Sequence, residues 1–253
     1  MDASDNLSSS SSSSMSPGAA IRLLWAAAVL EEPAGNIQPL LLASLAGISP
    51  KTLSQHELRL LYQTHRLTQQ QDWVSGDKTA QTARVGSIPQ QQQQQQQQWE
   101  QVGRLVLAGK KAATAYAAAS AARNKQQVQA VQRAFEELGF TAPVQGIKVD
   151  GGALQPDLAF IAGSSDGSSG SSDGSSSMKV ALMCDHAGRY SRNAQYELLG
   201  YWRVYGWLLE ADGWRVVRFP AHEWRLLMQD RGAQGGSTMA YVYNTLLAQG
   251  IVL

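Results

Sequence analysis

The chain has few of the residues that cross-link small folds or anchor a protein in a membrane. Its 253 residues include one cysteine, Cys184, and four histidines. An internal disulfide is therefore excluded, and a zinc site would have to take three further ligands from only four histidines. No apolar run approaches the roughly 18 residues that a membrane span requires, because the longest, residues 21–30, is interrupted by Arg22. We therefore expect a soluble chain with no membrane partner and no resident metal.

A recognisable targeting segment is also missing. Two acidic residues, Asp2 and Asp5, precede the first basic residue, Arg22, whereas transit peptides are rich in arginine and poor in acids. Either the chain is not imported into an organelle, or it is an internal or mis-started piece of a longer precursor. The second explanation agrees better with the short helical segment described below.

Three segments are too polar and repetitive to pack. Residues 8–14 are all serine, residues 90–98 are all glutamine, and residues 163–177 contain only glycine, serine and aspartate, so none can offset its ordering entropy by burying apolar surface. The resulting predicted divisions are a disordered segment 1–16, a helical-repeat remnant 17–75, a polar and polyglutamine linker 76–98, and a C-terminal region 99–253 with its core at 178–236 and a disordered loop insertion at 163–177.

The charge of the whole chain gives no argument for a polyanionic partner, since 21 basic residues face 20 acidic ones. Its distribution is more informative, because residues 101–148 hold two acids, Glu136 and Glu137, against a basic set. That set comprises Arg104, Lys110, Lys111, Arg123, Lys125, Arg133 and Lys148. Both a positive binding face and an ordinary solvated helix surface fit this pattern.

Apolar periodicity predicts helices first and strands later. Three helices of about 10 to 13 residues each are expected within 17–73, followed by helices at 99–122 and 126–138. Extended segments are then expected at 144–149, 154–161, 178–184 and 214–219, the first three as a meander. A helix with Leu198, Trp202, Tyr205 and Leu209 on one stripe separates the last two strands, which implies a crossover connection.

The last strand, helix and strand resemble the RAP domain, the C-terminal module of FAST-kinase-like and octotricopeptide-repeat proteins. Residues 180–185 and 188–190 lie where the family has an apolar strand ending in Glu-x-Asp-Gly-Pro and then a His-Phe pair, and residues 199–209 match its helix. Residues 213–220 match its Gly-Trp-x-Val-Val strand, and Glu223 with Trp224 matches its closing Pro-x-x-Glu-Trp signature. The resemblance covers residues 120–247, and residues 23–30 and 58–62 look like the helical repeats that precede the module.

The resemblance implies an α/β domain similar to the restriction-endonuclease core, preceded by a short all-α repeat segment. In that core, carboxylates on neighbouring strands hold Mg²⁺ for phosphodiester cleavage. Asp157 and Asp185 occupy the two equivalent aspartate positions here, but Met183 stands where the glutamate is expected. His186 and Ala187 replace the glycine and proline of the family turn. The two aspartates are therefore candidate relics, and catalysis with Mg²⁺ belongs to an endoribonuclease alternative.

The function that the resemblance implies is binding of single-stranded RNA, in processing, stability or translation of transcripts in a chloroplast or mitochondrion. Arginines beside aromatic rings suit phosphates and unpaired bases. The candidate RNA-binding residues are Asp185, Arg189, Tyr190, Arg192, Arg215, Arg218 and His222. A third alternative is a non-catalytic module that docks on protein partners in a ribonucleoprotein. The RNA target, the organelle and the oligomeric state stay open.

Overall fold

The computed structural model of the chain describes residues 15–30, 37–74, 97, 99–100, 102–121, 123–162, 177–191, 197–230 and 238–251. The predictions of disorder therefore fall almost wholly outside the described residues. One exception is Ser16, whose hydroxyl accepts from the amide of Ala19 and caps the first helix. Within the described ranges, no helix is both long and apolar enough to cross a bilayer.

The described part of the chain alternates helical and extended elements in its second half. The helices are α1 (Pro17–Val29), α2 (Ile37–Leu45), α3 (Gln55–Val74), α4 (Gly103–Ala121), α5 (Lys125–Glu137), α6 (Gly200–Ala211), α7 (Ala221–Asp230) and α8 (Thr238–Ala248). The strands are β1 (Leu158–Ala162), β2 (Met178–Cys184) and β3 (Trp214–Phe219). The sheet has the order β1-β2-β3, with β1 antiparallel to β2 and β3 parallel to β2. The crossover through α6 is thus confirmed.

Helices cover both faces of this sheet. On one face Leu182 and Val217 pack with residues of α5 and α8, among them Phe135 and Leu246. On the other face the side chains belong to a second core with α6, which includes Trp202. Because helices cover both faces, the last five residues of β2 are all buried, which explains its near-continuous apolar run.

The first four helices form a core that crosses the predicted division between 17–75 and 99–253. Leu24, Leu61 and Leu105, from α1, α3 and α4, lie in one buried cluster. The backbones of α3 and α4 approach so closely at Gly109 that a Cβ there would lie 2.3 Å from the carbonyl oxygen of Leu58. Trp99 and α4 therefore pack with α1, α2 and α3 as one helical unit, and the predicted boundary needs correction.

Two local predictions are also wrong. The third helix, α3, has 20 residues and exceeds the expected length. Residues 144–149 form no strand, and contribute only the isolated bridges of Val144 to Ala159 and of Val149 to Leu154. The backbone explains the second error, because φ is positive at Gly146 and at residues 150–152, which turns the chain instead of extending it.

The helical unit is fastened to the start of α6. The indole of Trp25 donates to the side chain of Gln63 at 3.1 Å, and the amide of Gln63 donates to the carbonyl oxygen of Tyr201 at 3.2 Å. Gly200 permits this approach, because a Cβ there would lie 2.6 Å from the Trp25 ring. The helical unit consequently fixes the position of α6, which carries Trp202 over the sheet.

Candidate functional site

The polar residues singled out in the sequence meet at one edge of the sheet. Asp157 directly precedes β1, Asp185 directly follows β2, and Arg218 is the next-to-last residue of β3. Because β1 runs antiparallel to the other two strands, its start lies at the same edge as their ends. This carboxyl edge is where open α/β sheets usually bind ligands.

Arg189 lies at the centre of this edge. It is the last residue of a short 3₁₀ turn, Ala187–Arg189, and its side chain is 1% exposed. Nη1 donates to Oδ2 of Asp157 at 3.0 Å and to Oδ1 of Asp185 at 2.7 Å. Nη2 donates to Oδ1 of Asp157 at 3.2 Å and to the hydroxyl of Ser120 at 3.3 Å. One guanidinium thus bridges two carboxylates from different strands.

Asp185 has a second cationic partner. Nη1 of Arg218 donates to both of its carboxylate oxygens at 3.0 Å, while Nη2 donates to the carbonyl oxygen of Trp202 at 2.7 Å. The hydroxyl of Tyr190 also donates to Oδ2 of Asp185 at 3.0 Å. We call Asp157, Asp185, Arg189 and Arg218 the edge cluster. Its two negative and two positive charges cancel.

Burial and the charges of the two carboxylates together set the protonation states of the groups around them. Burial lowers the pKa of Arg189, but the negative charges of Asp157 and Asp185 outweigh it and raise that pKa above its ordinary value. Burial and the neighbouring Asp185 raise the pKa of Tyr190. Both groups therefore keep their protons at neutral pH and act as hydrogen-bond donors.

Four residues that sequence reasoning did not assign to a site support the edge cluster. Ser120 binds Arg189, Asn124 donates to the carbonyl oxygen of Cys184 at 2.6 Å, and Gln127 donates to that of Phe219 at 2.9 Å. The ring of Trp202 lies 4.1 Å from the Arg189 guanidinium carbon. In the sequence, the polar side chains at the α4–α5 corner gave only a weak signal of a site. Buried side-chain amides usually donate to a backbone carbonyl oxygen, as Asn124 and Gln127 do here.

The predicted RNA contacts of Asp185 and Arg189 need correction. Their side chains are 0% and 1% exposed, so a ligand outside the fold does not reach them. Arg218 is 22% exposed, but both of its terminal nitrogens are occupied by Asp185 and Trp202. One physical reason explains all three corrections. Buried carboxylates need cationic partners, and here the nearest guanidinium groups, those of Arg189 and Arg218, supply them.

The remaining predicted contacts lie at or near the surface. The half-buried rings of Tyr190 and His222 lie 5.7 Å apart and nearly perpendicular at the carboxyl edge. Arg215 is exposed, and donates to the carbonyl oxygen of Gln249 at 3.1 Å. Arg215 and Arg218 are three residues apart along β3, so their side chains lie on opposite faces of the sheet. Arg192 lies outside the described residues.

Two further groups flank the edge cluster. The ring of His186 accepts from the amide of Gly188 through Nδ1 at 3.1 Å, and faces Trp202 at 6.5 Å. Burial lowers the pKa of His186, and the charges of Arg189 and Arg123 lower it further, so the ring is neutral at pH 7. Arg123, which is exposed, therefore lies within electrostatic reach of this edge. Lys125 is exposed and directly follows Asn124, whose side chain binds the end of β2. We call Arg123, Lys125, His186, Tyr190 and His222 the edge rim.

The donor set does not fit Mg²⁺. Each oxygen of Asp157 and Asp185 already accepts from a nitrogen or hydroxyl donor of the chain, and two guanidinium groups neutralise both charges. Among the described residues, no group of three or more histidine, cysteine, aspartate or glutamate side chains is arranged to hold a metal ion. The carboxylates therefore have no coordination positions to offer a divalent ion without breaking these hydrogen bonds.

Comparisons of the chain with models of protein families, with curated proteins and with solved structures found no match.

Proposed function

We propose that this chain binds single-stranded RNA at the edge rim and does not cleave it. The observation that carries the proposal is a pair of half-buried rings, Tyr190 and His222, at the carboxyl edge of the sheet and above a cluster whose charges cancel internally. The resemblance to RAP domains supports the same kind of ligand. By that resemblance, the RNA would be an organelle transcript, and the outcome its processing, stability or translation.

The two rings suit unpaired bases. Every base offers a π-face, and stacking on an aromatic side chain contributes about 1 to 3 kcal/mol per base without sequence preference. The hydrogen bond from the Tyr190 hydroxyl to Asp185 holds that ring in place before a ligand arrives. A fixed ring loses little conformational entropy on binding, which favours affinity.

Phosphate groups would be held at the α4–α5 corner. Arg123 and Lys125 are exposed there, and the first turn of α5 contains no acidic residue. The positive end of the α5 dipole is therefore reinforced by side-chain charge and not opposed by it. Asn124, between the two cations, donates to the carbonyl oxygen of Cys184 and joins this corner to the end of β2.

Binding of a labelled single-stranded RNA to the full chain, measured by fluorescence anisotropy over a range of salt concentrations, tests the phosphate contacts. Each phosphate contact to a single strand contributes about 0.7 to the slope of log K against log salt. This slope is negative, and we expect the double variant Arg123→Ala/Lys125→Ala to reduce its magnitude by about 1.4, because two phosphate contacts are lost. Arg104→Ala is the matched control, because it lies about 24 Å along α4 from Ser120 at 1.5 Å per residue.

A second pair of variants tests stacking. Tyr190→Leu removes the ring and is expected to weaken binding about tenfold, whereas Tyr190→Phe keeps the ring and is expected to retain most of the affinity. If the bound RNA is cleaved when Mg²⁺ is added, the non-catalytic part of the proposal is wrong. An absence of salt-sensitive affinity in the unmodified chain would overturn RNA binding and favour a protein-docking module instead.

A further inference from the structure

The bridge that Arg189 forms between Asp157 and Asp185 bears on cation binding as well as on RNA binding. Two carboxylates at the ends of neighbouring strands repel one another, and their burial is costly unless positive charge lies between them. In proteins that use such pairs with a metal, a divalent ion supplies that charge. Here Nη1 of Arg189 lies 3.0 Å from an oxygen of Asp157 and 2.7 Å from an oxygen of Asp185.

We infer that Asp157 and Asp185 form a cation site whose occupant is the chain's own guanidinium. The charges agree with this, because the two carboxylates carry two negative charges while Arg189 and Arg218 together supply two positive ones, as one divalent ion would. The inference is independent of the proposed function, since neither aspartate needs to contact RNA for it to hold.

The surroundings explain why a guanidinium is held there in the folded chain. The guanidinium carbon of Arg189 lies over the ring of Trp202, 4.1 Å from its centre, a contact that favours a planar and weakly hydrated cation. The hydroxyl of Ser120 accepts a hydrogen bond from Nη2 of Arg189 at 3.3 Å. Removal of the Arg189 side chain would leave two carboxylates converging on a space next to an indole ring, with Asp185 still bound by Arg218 and Tyr190 and with one negative charge of the pair uncompensated.

This geometry gives the inference a direct optical test. Terbium(III) prefers carboxylate oxygens as calcium does, and its emission is sensitised by a tryptophan a few ångströms away. Arg189→Ala in the full chain is therefore expected to show saturable emission on tryptophan excitation, at least tenfold above the unmodified chain at equal terbium concentration. Added Ca²⁺ should compete with this emission.

Three further variants identify the ligands and the sensitiser. Asp157→Asn in the Arg189→Ala background should return the emission to the level of the unmodified chain, because one of the two carboxylates is lost. Asp212→Asn in the same background is the matched control, since it removes an acid from the junction of α6 and β3, and the emission should persist. Trp202→Phe should abolish sensitisation while leaving terbium bound.

Loss of folding in the Arg189→Ala variant does not prevent a decision. In that case, circular dichroism is followed as terbium or Ca²⁺ is added, and the inference requires that the ion restores the folded signal. Folded Arg189→Ala without sensitised emission would overturn the inference. So would an unfolded variant that neither ion restores, or emission that survives Asp157→Asn.

Discussion

Two clusters of this chain have the same composition, two aspartates and two cations, but differ in burial. The edge cluster contains Asp157, Asp185, Arg189 and Arg218. The second cluster, which we call the junction cluster, contains Asp150, Asp212, Arg66 and Lys110 and joins α3 and α4 to the end of α6. The aspartate side chains are at most 3% exposed in the edge cluster and 13% to 25% exposed in the junction cluster.

The two clusters also differ in how completely their carboxylate oxygens are paired. At the edge, each oxygen of the two carboxylates accepts a hydrogen bond. At the junction, Oδ2 of Asp150 lies 3.6 Å from Nε of Arg66, and neither atom has a hydrogen-bond partner among the described residues. Nε of Arg189 has no partner among the described residues, but all four carboxylate oxygens of the edge cluster do. Pairing of the carboxylate oxygens is what makes their deep burial tolerable, and the junction cluster, where Oδ2 of Asp150 lacks a hydrogen bond, keeps partial access to solvent.

The largest expected effect comes from removal of a carboxylate at the edge. Asp185→Ala leaves Arg189, Arg218 and Tyr190 without their shared acceptor inside the fold. Breaking a buried ion pair in this way costs about 3 to 5 kcal/mol. Asp212→Ala at the junction is the matched variant, and is expected to cost less than about 1 kcal/mol because its pair with Arg66 is partly exposed.

Denaturant unfolding monitored by circular dichroism measures both free energies of unfolding. The difference between the two variants is the quantity of interest, since each removes one aspartate from a cluster of equal composition. Equal costs for Asp185→Ala and Asp212→Ala would show that burial is not what separates the two clusters.

A smaller effect is expected from crowding the edge cluster without changing its charge. A Cβ at Gly206 would lie 3.0 Å from Nη2 of Arg218, the nitrogen that donates to the carbonyl oxygen of Trp202. Gly206→Ala should therefore displace the guanidinium and cost about 1 to 2 kcal/mol. Gly103→Ala is the control, because among the described residues no heavy atom outside its own helix and chain neighbours lies within 4 Å of its added Cβ. A Gly206→Ala variant as stable as this control would mean that Arg218 repacks freely.

Sequence reasoning predicted most of the elements that build the edge. The bounds of β2 and β3 agree with the predicted strands, and the stripe through Trp202 and Tyr205 identified α6. These elements have strong local periodicity and clear endings, such as the positive φ of Gly213 after α6. The convergence of Asp157 and Asp185 followed from the strand order that the resemblance implied.

The inward orientation of Arg189 was not predictable in the same way. Its neighbours Gly188 and Tyr190 make the segment look like an exposed loop, and its partners Asp157 and Ser120 lie 32 and 69 residues away in the chain. Whether an arginine is buried depends on such distant acceptors, and periodicity carries no information about them. The packing of α4 on α3 was missed for a related reason, because a polyglutamine tract between them suggested a domain boundary.

The smallest expected effect concerns pH at the junction cluster. Burial, with a contribution from Asp212, raises the pKa of Asp150 to about 6 from an ordinary value of 3.8. Because the folded chain then holds this proton more tightly than the unfolded chain, its free energy of unfolding should rise as the pH falls through 6. Asp150→Asn removes that dependence, while the asparagine still tolerates the positive φ of 49° at this position.

We expect the unmodified chain to gain about 1 kcal/mol relative to Asp150→Asn between pH 7.5 and pH 4.5, after allowance for solvent screening. Arg66 and Lys110 act in the opposite direction, since their charges favour ionised Asp150 at separations of 3.6 Å and 2.9 Å. Denaturant unfolding of both chains across this pH range measures the balance. If the unmodified chain instead loses stability relative to Asp150→Asn as the pH falls, ion pairing dominates at the junction, and the two clusters differ less than their burial suggests.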